Sequence, residues 1–117
     1  MNSEELQEFV CDTLEGIKAK DIEVLDIRKM TTMADFIVVA SGTSGRHVSS
    51  VADRLVEAAK AEGVQPLGVE GKEGSEWVLI DLNDIIVHVM QPATRDFYKL
   101  EDLWSMRPTT IAENPNA

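Results

Sequence analysis

Two runs of alternating character, Trp77-Val78-Leu79-Ile80-Asp81-Leu82 and Ile85-Ile86-Val87-His88-Val89-Met90, are separated only by Asn83-Asp84. So short a connection between β-branched runs predicts an antiparallel hairpin. Leu82 then pairs with Ile85, Ile80 with Val87 and Val78 with Val89, and the two-residue period sends all of these to one face. The opposite face receives Trp77, Leu79, Asp81, Ile86, His88 and Met90. A solvated sheet face normally turns polar, yet this one stays largely apolar and is interrupted only by Asp81 and His88. Two explanations compete. Another element covers the face, such as a C-terminal helix carrying Phe97, Tyr98 and Trp104. Alternatively, part of it is bare and docks another protein, with Trp77 and Tyr98 as typical anchors.

The remaining chain supplies the layers for such a hairpin. Leu6, Phe9, Val10, Thr13, Leu14 and Ile17 fall on one helical stripe, predicting a helix over residues 3–18 with Ser3 as its N-cap. Ile22 to Ile27 is rich in β-branched residues and reads as a strand. Phe36-Ile37-Val38-Val39-Ala40 is apolar throughout, as expected of a central strand covered on both faces. Ser41-Gly42-Thr43-Ser44-Gly45 breaks it. A second amphipathic helix follows over residues 46–62, burying Val48, Val51, Ala52, Leu55, Ala58 and Ala59 and ending at Gly63. Pro66 and Gly68 limit residues 64–70 to an irregular or edge strand. Residues 94–105 read as a short helix, and residues 107–117, with two prolines, as a mobile tail. This order predicts an α/β domain over residues 1–106 with a mixed β-sheet, its two long helices packed on one face.

Charge and composition restrict partners and compartment. With 11 Lys and Arg against 21 Asp and Glu, the chain carries −10 at pH 7. Such a surface repels nucleic acid at long range and attracts a basic protein, although charge also serves solubility alone. Cys11 is the sole cysteine, so an intramolecular disulfide and a cysteine-based metal cluster are not expected. The opening Met-Asn-Ser-Glu-Glu lacks a signal-peptide pattern, and no apolar run is long enough to span a bilayer. The expected location is the cytoplasm.

Candidate chemistry is thin. Ser41 to Gly45 stands between a strand and a helix and offers backbone N–H groups to a phosphate, but it lacks a P-loop lysine and a dinucleotide fingerprint. Small residues at that place equally make a tight turn. A Mg²⁺ site for nucleotidyl transfer wants two carboxylates on adjacent same-face positions. Asp81 has Leu79 where its companion would sit, Asp26 is alone, and Asp84 lies beyond the turn. His88 is placed to hydrogen-bond Asp81, as a catalytic pair or, more in keeping with its setting, as a polar anchor in an interface or a satisfied half-buried group. His47 is far from it in sequence. Cys11 reads as a small core filler.

Several segments taken together resemble the ribosomal silencing factor family, the iojap-like proteins. They are Lys20-Asp21-Ile22-Glu23-Val24-Leu25-Asp26, the stretch from Ala34 through Ser41-Gly42-Thr43-Ser44-Gly45 to Val48, Glu70-Gly71 with the hairpin, and Arg95-Asp96-Phe97-Tyr98-Lys99-Leu100-Glu101-Asp102-Leu103-Trp104. The likeness runs from about Leu6 to Trp104. It implies a nucleotidyltransferase-related fold without catalytic carboxylates, no enzymatic activity and no cofactor. It also implies a translational repressor that binds a large-subunit ribosomal protein, the fourteenth in standard naming, on the intersubunit face and blocks subunit joining when nutrients are scarce. The partner surface it implies here is Trp77, Leu79, Asp81, His88, Tyr98, Leu100 and Trp104. Leu100 and Trp104 read equally as core, since helical spacing puts both beside Phe97. The hairpin turn Leu82-Asn83-Asp84 departs from the glycine-containing turn common in the family. Competing readings are a ribosome-biogenesis helper on the large subunit and a Mg²⁺-dependent nucleotidyltransferase. An apolar face also suits a homodimer.

Overall fold

All six residues of strand β2 (Phe36–Ser41) are buried, which requires cover on both sides of the sheet at that point. The structure, a computed structural model, describes residues 1–71 and 76–99. β2 lies between β1 (Lys20–Asp26) and β5 (Ile85–Met90), antiparallel to the first and parallel to the second. β4 (Trp77–Asp81) pairs with β5, and β3 (Gly68–Glu70) pairs with β4, giving a five-stranded mixed sheet in the order β1-β2-β5-β4-β3. The hairpin register is the expected one: Val78 faces Val89 and Ile80 faces Val87, and Leu82 N–H donates to the Ile85 carbonyl. In the turn only Asn83 adopts a left-handed backbone, at φ 76°. The Asp84 carbonyl accepts the N–H groups of Asp35 and Phe36, which ties the hairpin to the start of β2.

Helices α1 (Ser3–Gly16) and α2 (Gly45–Ala61) cover one face. Leu6, Val10 and Leu14 of α1 and Val48, Val51, Ala52, Leu55 and Ala59 of α2 meet Phe36, Val38, Ala40, Val78, Ile80, Val87 and Val89 in the main core. Each fully buried aliphatic side chain contributes roughly 1.5–3 kcal/mol of transfer free energy, so this face carries most of the stability. The N-cap of α1 is Asn2, not Ser3. Asn2 Oδ1 accepts the Glu5 N–H at 2.8 Å, and the Glu5 carboxylate accepts the Asn2 N–H at 3.1 Å. Glu5 is the third residue of the helix counted from Asn2, which makes the reciprocal capping box possible there. α2 is capped by Ser44, whose Oγ accepts the His47 N–H.

The C-terminal helix differs most from expectation. α3 runs Pro92–Tyr98, starting two residues before the expected 94, and residues 100–105 of the expected helix lie outside the described residues. Proline suits the first turn because its missing N–H has no helical partner there. Lys99 stops the helix with a left-handed backbone at φ 54°, donating its N–H to the Arg95 carbonyl. Leu100, Trp104 and the expected tail at 107–117 lie outside the described residues.

One glycine fixes how β3 leads away from the hairpin. Gly71 has φ 89°, and a Cβ there would collide with the Trp77 carbonyl oxygen. Gly63 also has positive φ, 81°, but open space around it. Gly63→Ala should cost about 1 kcal/mol through backbone strain alone. Gly71→Ala should cost at least about twice as much, because a steric collision is added. Urea unfolding midpoints of the two variants measure the difference.

Candidate functional site

The sheet's second face has a thinner cover, and its extent defines the candidate site. Ile27, Ala34, Ile37, Val39 and Met90 form a small second core, with Leu25, Met30, Trp77 and Ile86 packed on it. The loop between β1 and β2 therefore folds over the β2–β5 half of this face. It is held by the Ile27 N–H donating to the Asp35 carbonyl and by the Met30 and Thr31 N–H groups donating to the Ile27 carbonyl. Moving toward β4, burial falls. Met90 is fully buried, Trp77, Leu79, Asp81 and Ile86 are half-buried, and Glu70 opposite Leu79 is exposed. The face is covered over β2 and β5, by the β1–β2 loop rather than by the expected C-terminal helix, and partly open over β4.

An aromatic cluster marks the border. Trp77 Nε1 donates to His88 Nδ1 at 2.9 Å across the hairpin. The Tyr98 ring lies 4.8 Å from the Trp77 ring, tilted at 51°, and Phe97 meets Tyr98 edge-on at 5.0 Å. Such tilted pairs add about 0.5–1.5 kcal/mol beyond burial. Tyr98 and Phe97 remain 53% and 79% exposed, so α3 contributes a ridge rather than a lid. An open cleft of about 270 Å³ lies beside it, lined by Glu70, Gly71, Trp77 and Leu79. The indole N–H and the short connection from β5 to α3 decide this arrangement. The Gln91 N–H donates to the Glu76 carbonyl, and buried Arg95 donates from Nη1 to Ser41 Oγ at 2.9 Å, clamping α3 to the end of β2. Nothing in residue spacing signals that clamp.

His88 bonds Trp77 instead of the expected Asp81. The Asp81 carboxylate takes the Asn83 N–H at 2.9 Å and serves the turn. Leu79 sits directly opposite His88. Of the surface implied by the family resemblance, Trp77, Leu79, Asp81, His88 and Tyr98 share this face, with His88 as buried support rather than contact surface.

Other candidates resolve into structure. In the Ser41–Gly45 loop, the Gly42 N–H goes to the Met90 carbonyl and the Thr43 N–H goes to His47 Nδ1. His47 Nε2 lies 3.2 Å from the Ile17 carbonyl, so the ring ties the end of α1 to the start of α2. A Cβ on Gly42 would meet Val48 Cγ2 at 2.6 Å, which accounts for that glycine by close packing. Asp26 pairs in register with Phe36, on the helix-covered face, whereas Asp81 pairs with Ile86 on the other. Three strand spacings, about 14 Å, also separate them. Asp26 is instead engaged by Arg28 at 2.6 Å, which holds its carboxyl down at about 2. Cys11 packs against the main core, and burial pushes its thiol up, so it stays protonated and unreactive.

Burial pushes His88 down to about 4 from 6.5, which matches a neutral ring whose Nδ1 accepts the indole N–H. Because the folded value is depressed, the neutral ring's contribution is fully present above pH 6.5 and is lost as pH falls toward 4. Between pH 7 and pH 5 the native chain should lose about 2 kcal/mol more unfolding free energy than His88→Gln, which keeps an acceptor but cannot titrate. Urea titrations at the two pH values check this, since the two proteins differ only at position 88.

Comparison with known proteins places this architecture. The chain matches the family described as "Ribosomal silencing factor during starvation" over residues 1–117. A ribosomal silencing factor of Chromobacterium violaceum is 41% identical over 112 residues, covering 96% of this chain and 92% of the relative. A mouse protein named mitochondrial assembly of ribosomal large subunit protein 1 is 34% identical over 92 residues, covering 76% of this chain and 40% of that protein. A crystal structure of a Chromobacterium violaceum protein superposes with a TM-score of 0.88 at 43% identity, covering 90% of this chain and 88% of that one. With one family spanning the sequence and a close structural counterpart for the mixed sheet and its helices, the chain belongs to the ribosomal silencing factor family.

Proposed function

We propose that this protein represses translation by docking on the large ribosomal subunit through the open face around Trp77, obstructing subunit joining when nutrients are scarce. The docking partner in this reading is a basic large-subunit ribosomal protein, the fourteenth. The observation that carries it is the half-buried Trp77 with exposed Tyr98 and Phe97 and half-buried Leu79 beside it, an aromatic patch at the border of the packed β2–β5 centre of the sheet. Aromatic anchors of this type dominate interface energetics when a partner excludes water from them. The net charge of −10 steers the protein toward a cationic surface and away from exposed RNA phosphates.

The action is obstruction rather than chemistry in this proposal. Asp26 and Asp81 lie on opposite sheet faces, and among the described residues no group of three or more His, Cys, Asp or Glu is disposed to hold a metal. Among the described residues no helix is long and apolar enough to cross a membrane, and the proposed site of action is the cytoplasm. A second reading, assistance in large-subunit assembly, is favoured by the mouse relative's name and uses the same face.

Trp77→Ala should weaken co-sedimentation with purified large subunits by at least about thirty-fold, the loss expected for a 2 kcal/mol anchor. Circular dichroism should show the fold retained. Native protein added to purified mature subunits should lower the light-scattering signal of joining, and the variant should not. Unchanged sedimentation of a folded Trp77→Ala variant would refute the docking face. Joining that proceeds with native protein bound would favour assembly over repression.

A further inference from the structure

The outer edge of the sheet beyond the aromatic patch has a feature that the docking face does not explain. Among the described residues β3 is the last strand, so one row of its backbone N–H and C=O groups turns away from β4 with no described strand to meet it. Two clefts flank this edge, one on each face. On the helix side, a cleft of about 280 Å³ is lined by Val56 and Val69 together with Asp53 and Glu57. On the open side, Trp77 and Leu79 form the floor beside Glu70 and Gly71. The register accounts for the pairing of clefts: Val69 faces Ile80 toward the helices, whereas Glu70 faces Leu79 toward the open side.

We infer that β3 accepts an extended basic segment of the partner as a sixth strand. The inference deepens the proposed function and rests on it for the source of the segment, a basic ribosomal protein. An added strand projects alternate side chains to opposite faces, so successive residues enter the two clefts. Each cleft sets a carboxylate, Glu57 on the helix side and Glu70 on the open side, beside apolar side chains, which suits a Lys or Arg whose stem lies on carbon and whose head reaches the acid. The other edge is guarded. β1 shifts register between Lys20 and Glu23, and Asp21 has φ 51°, a distortion that spoils pairing. A second copy of the chain is a poor occupant, because abutting β3 strands would bring Asp53, Glu57 and Glu70 of both copies together. β3 has only three residues, so the clefts must supply much of the affinity.

The test uses a blocked lysine–valine hexapeptide with two adjacent central lysines, so that one enters each cleft, with the whole protein. Backbone NMR should show shifts and slowed amide exchange centred on Gly68–Glu70. A glutamate–valine hexapeptide, and a lysine–valine peptide N-methylated at alternate residues, should produce neither. Val69→Lys places a cation in the helix-side cleft and should weaken peptide binding by about tenfold or more, with the fold retained by circular dichroism. It should also weaken large-subunit co-sedimentation by about tenfold. Equal binding of the control peptides, or shifts elsewhere, overturns the inference. So does a dimer in sedimentation velocity that Val69→Lys dissolves, since the occupant would then be a second copy. If Trp77→Ala weakens subunit binding while Val69→Lys does not, the edge inference fails and the docking face stands. The reverse pattern upholds the edge and refutes that face. If neither variant weakens binding, both fail.

Discussion

A strand sealed on both sides sets the terms for this molecule. β2 buries every residue, so the sheet must be covered above and below at its centre. Two long amphipathic helices meet the demand on one side with a continuous aliphatic core. On the other side, among the described residues, the cover is the β1–β2 loop, which reaches β2 and β5, with α3 as a ridge at its border. That shortfall leaves β4 half-buried. The surface around Trp77 is therefore where the second layer ends, a consequence of unequal layers on one sheet.

The border is stiffened where the cover ends. Trp77 is pinned by its hydrogen bond to a neutral, buried His88 and by ring contact with Tyr98. Arg95 and Ser41, both buried, fasten α3 to the sheet. A pre-set aromatic side chain loses little conformational freedom when a partner lands on it, so more of its contact energy remains as affinity. Farther out, β3 combines an open edge with acidic clefts. Together with the chain's negative charge, these features favour protein contacts of cationic character over phosphate contacts.

Legibility in the sequence followed the reach of the forces involved. The hairpin register and central β2 could be read because the two-residue period and a two-residue turn are local constraints. The open-face membership of Trp77, Leu79 and Asp81 came with the same register. The cap at Asn2 was missed by one residue because Ser3 is also a capable cap, and only the reciprocal bond with Glu5 separates them. Apolar spacing in residues 94–105 predicts neither the start of α3 at Pro92 nor the left-handed turn at Lys99 that interrupts it, because neither depends on side-chain periodicity. His88 was paired with Asp81 by position, but the indole N–H reaches its Nδ1, while the Asn83 N–H claims that carboxylate.

By itself, the sequence determined the strands, the two long helices, the single dominant core face and the acidic character, because periodicity and charge act between near neighbours. Tertiary structure alone decided how far the loop after β1 spreads over the second face, that Arg95 finds Ser41, and that β3 is left as an edge between two acidic clefts. Those outcomes depend on segments distant in the chain meeting in space. No local pattern encodes such a meeting, since its energy comes from burial and hydrogen bonds that exist only after the sheet has assembled.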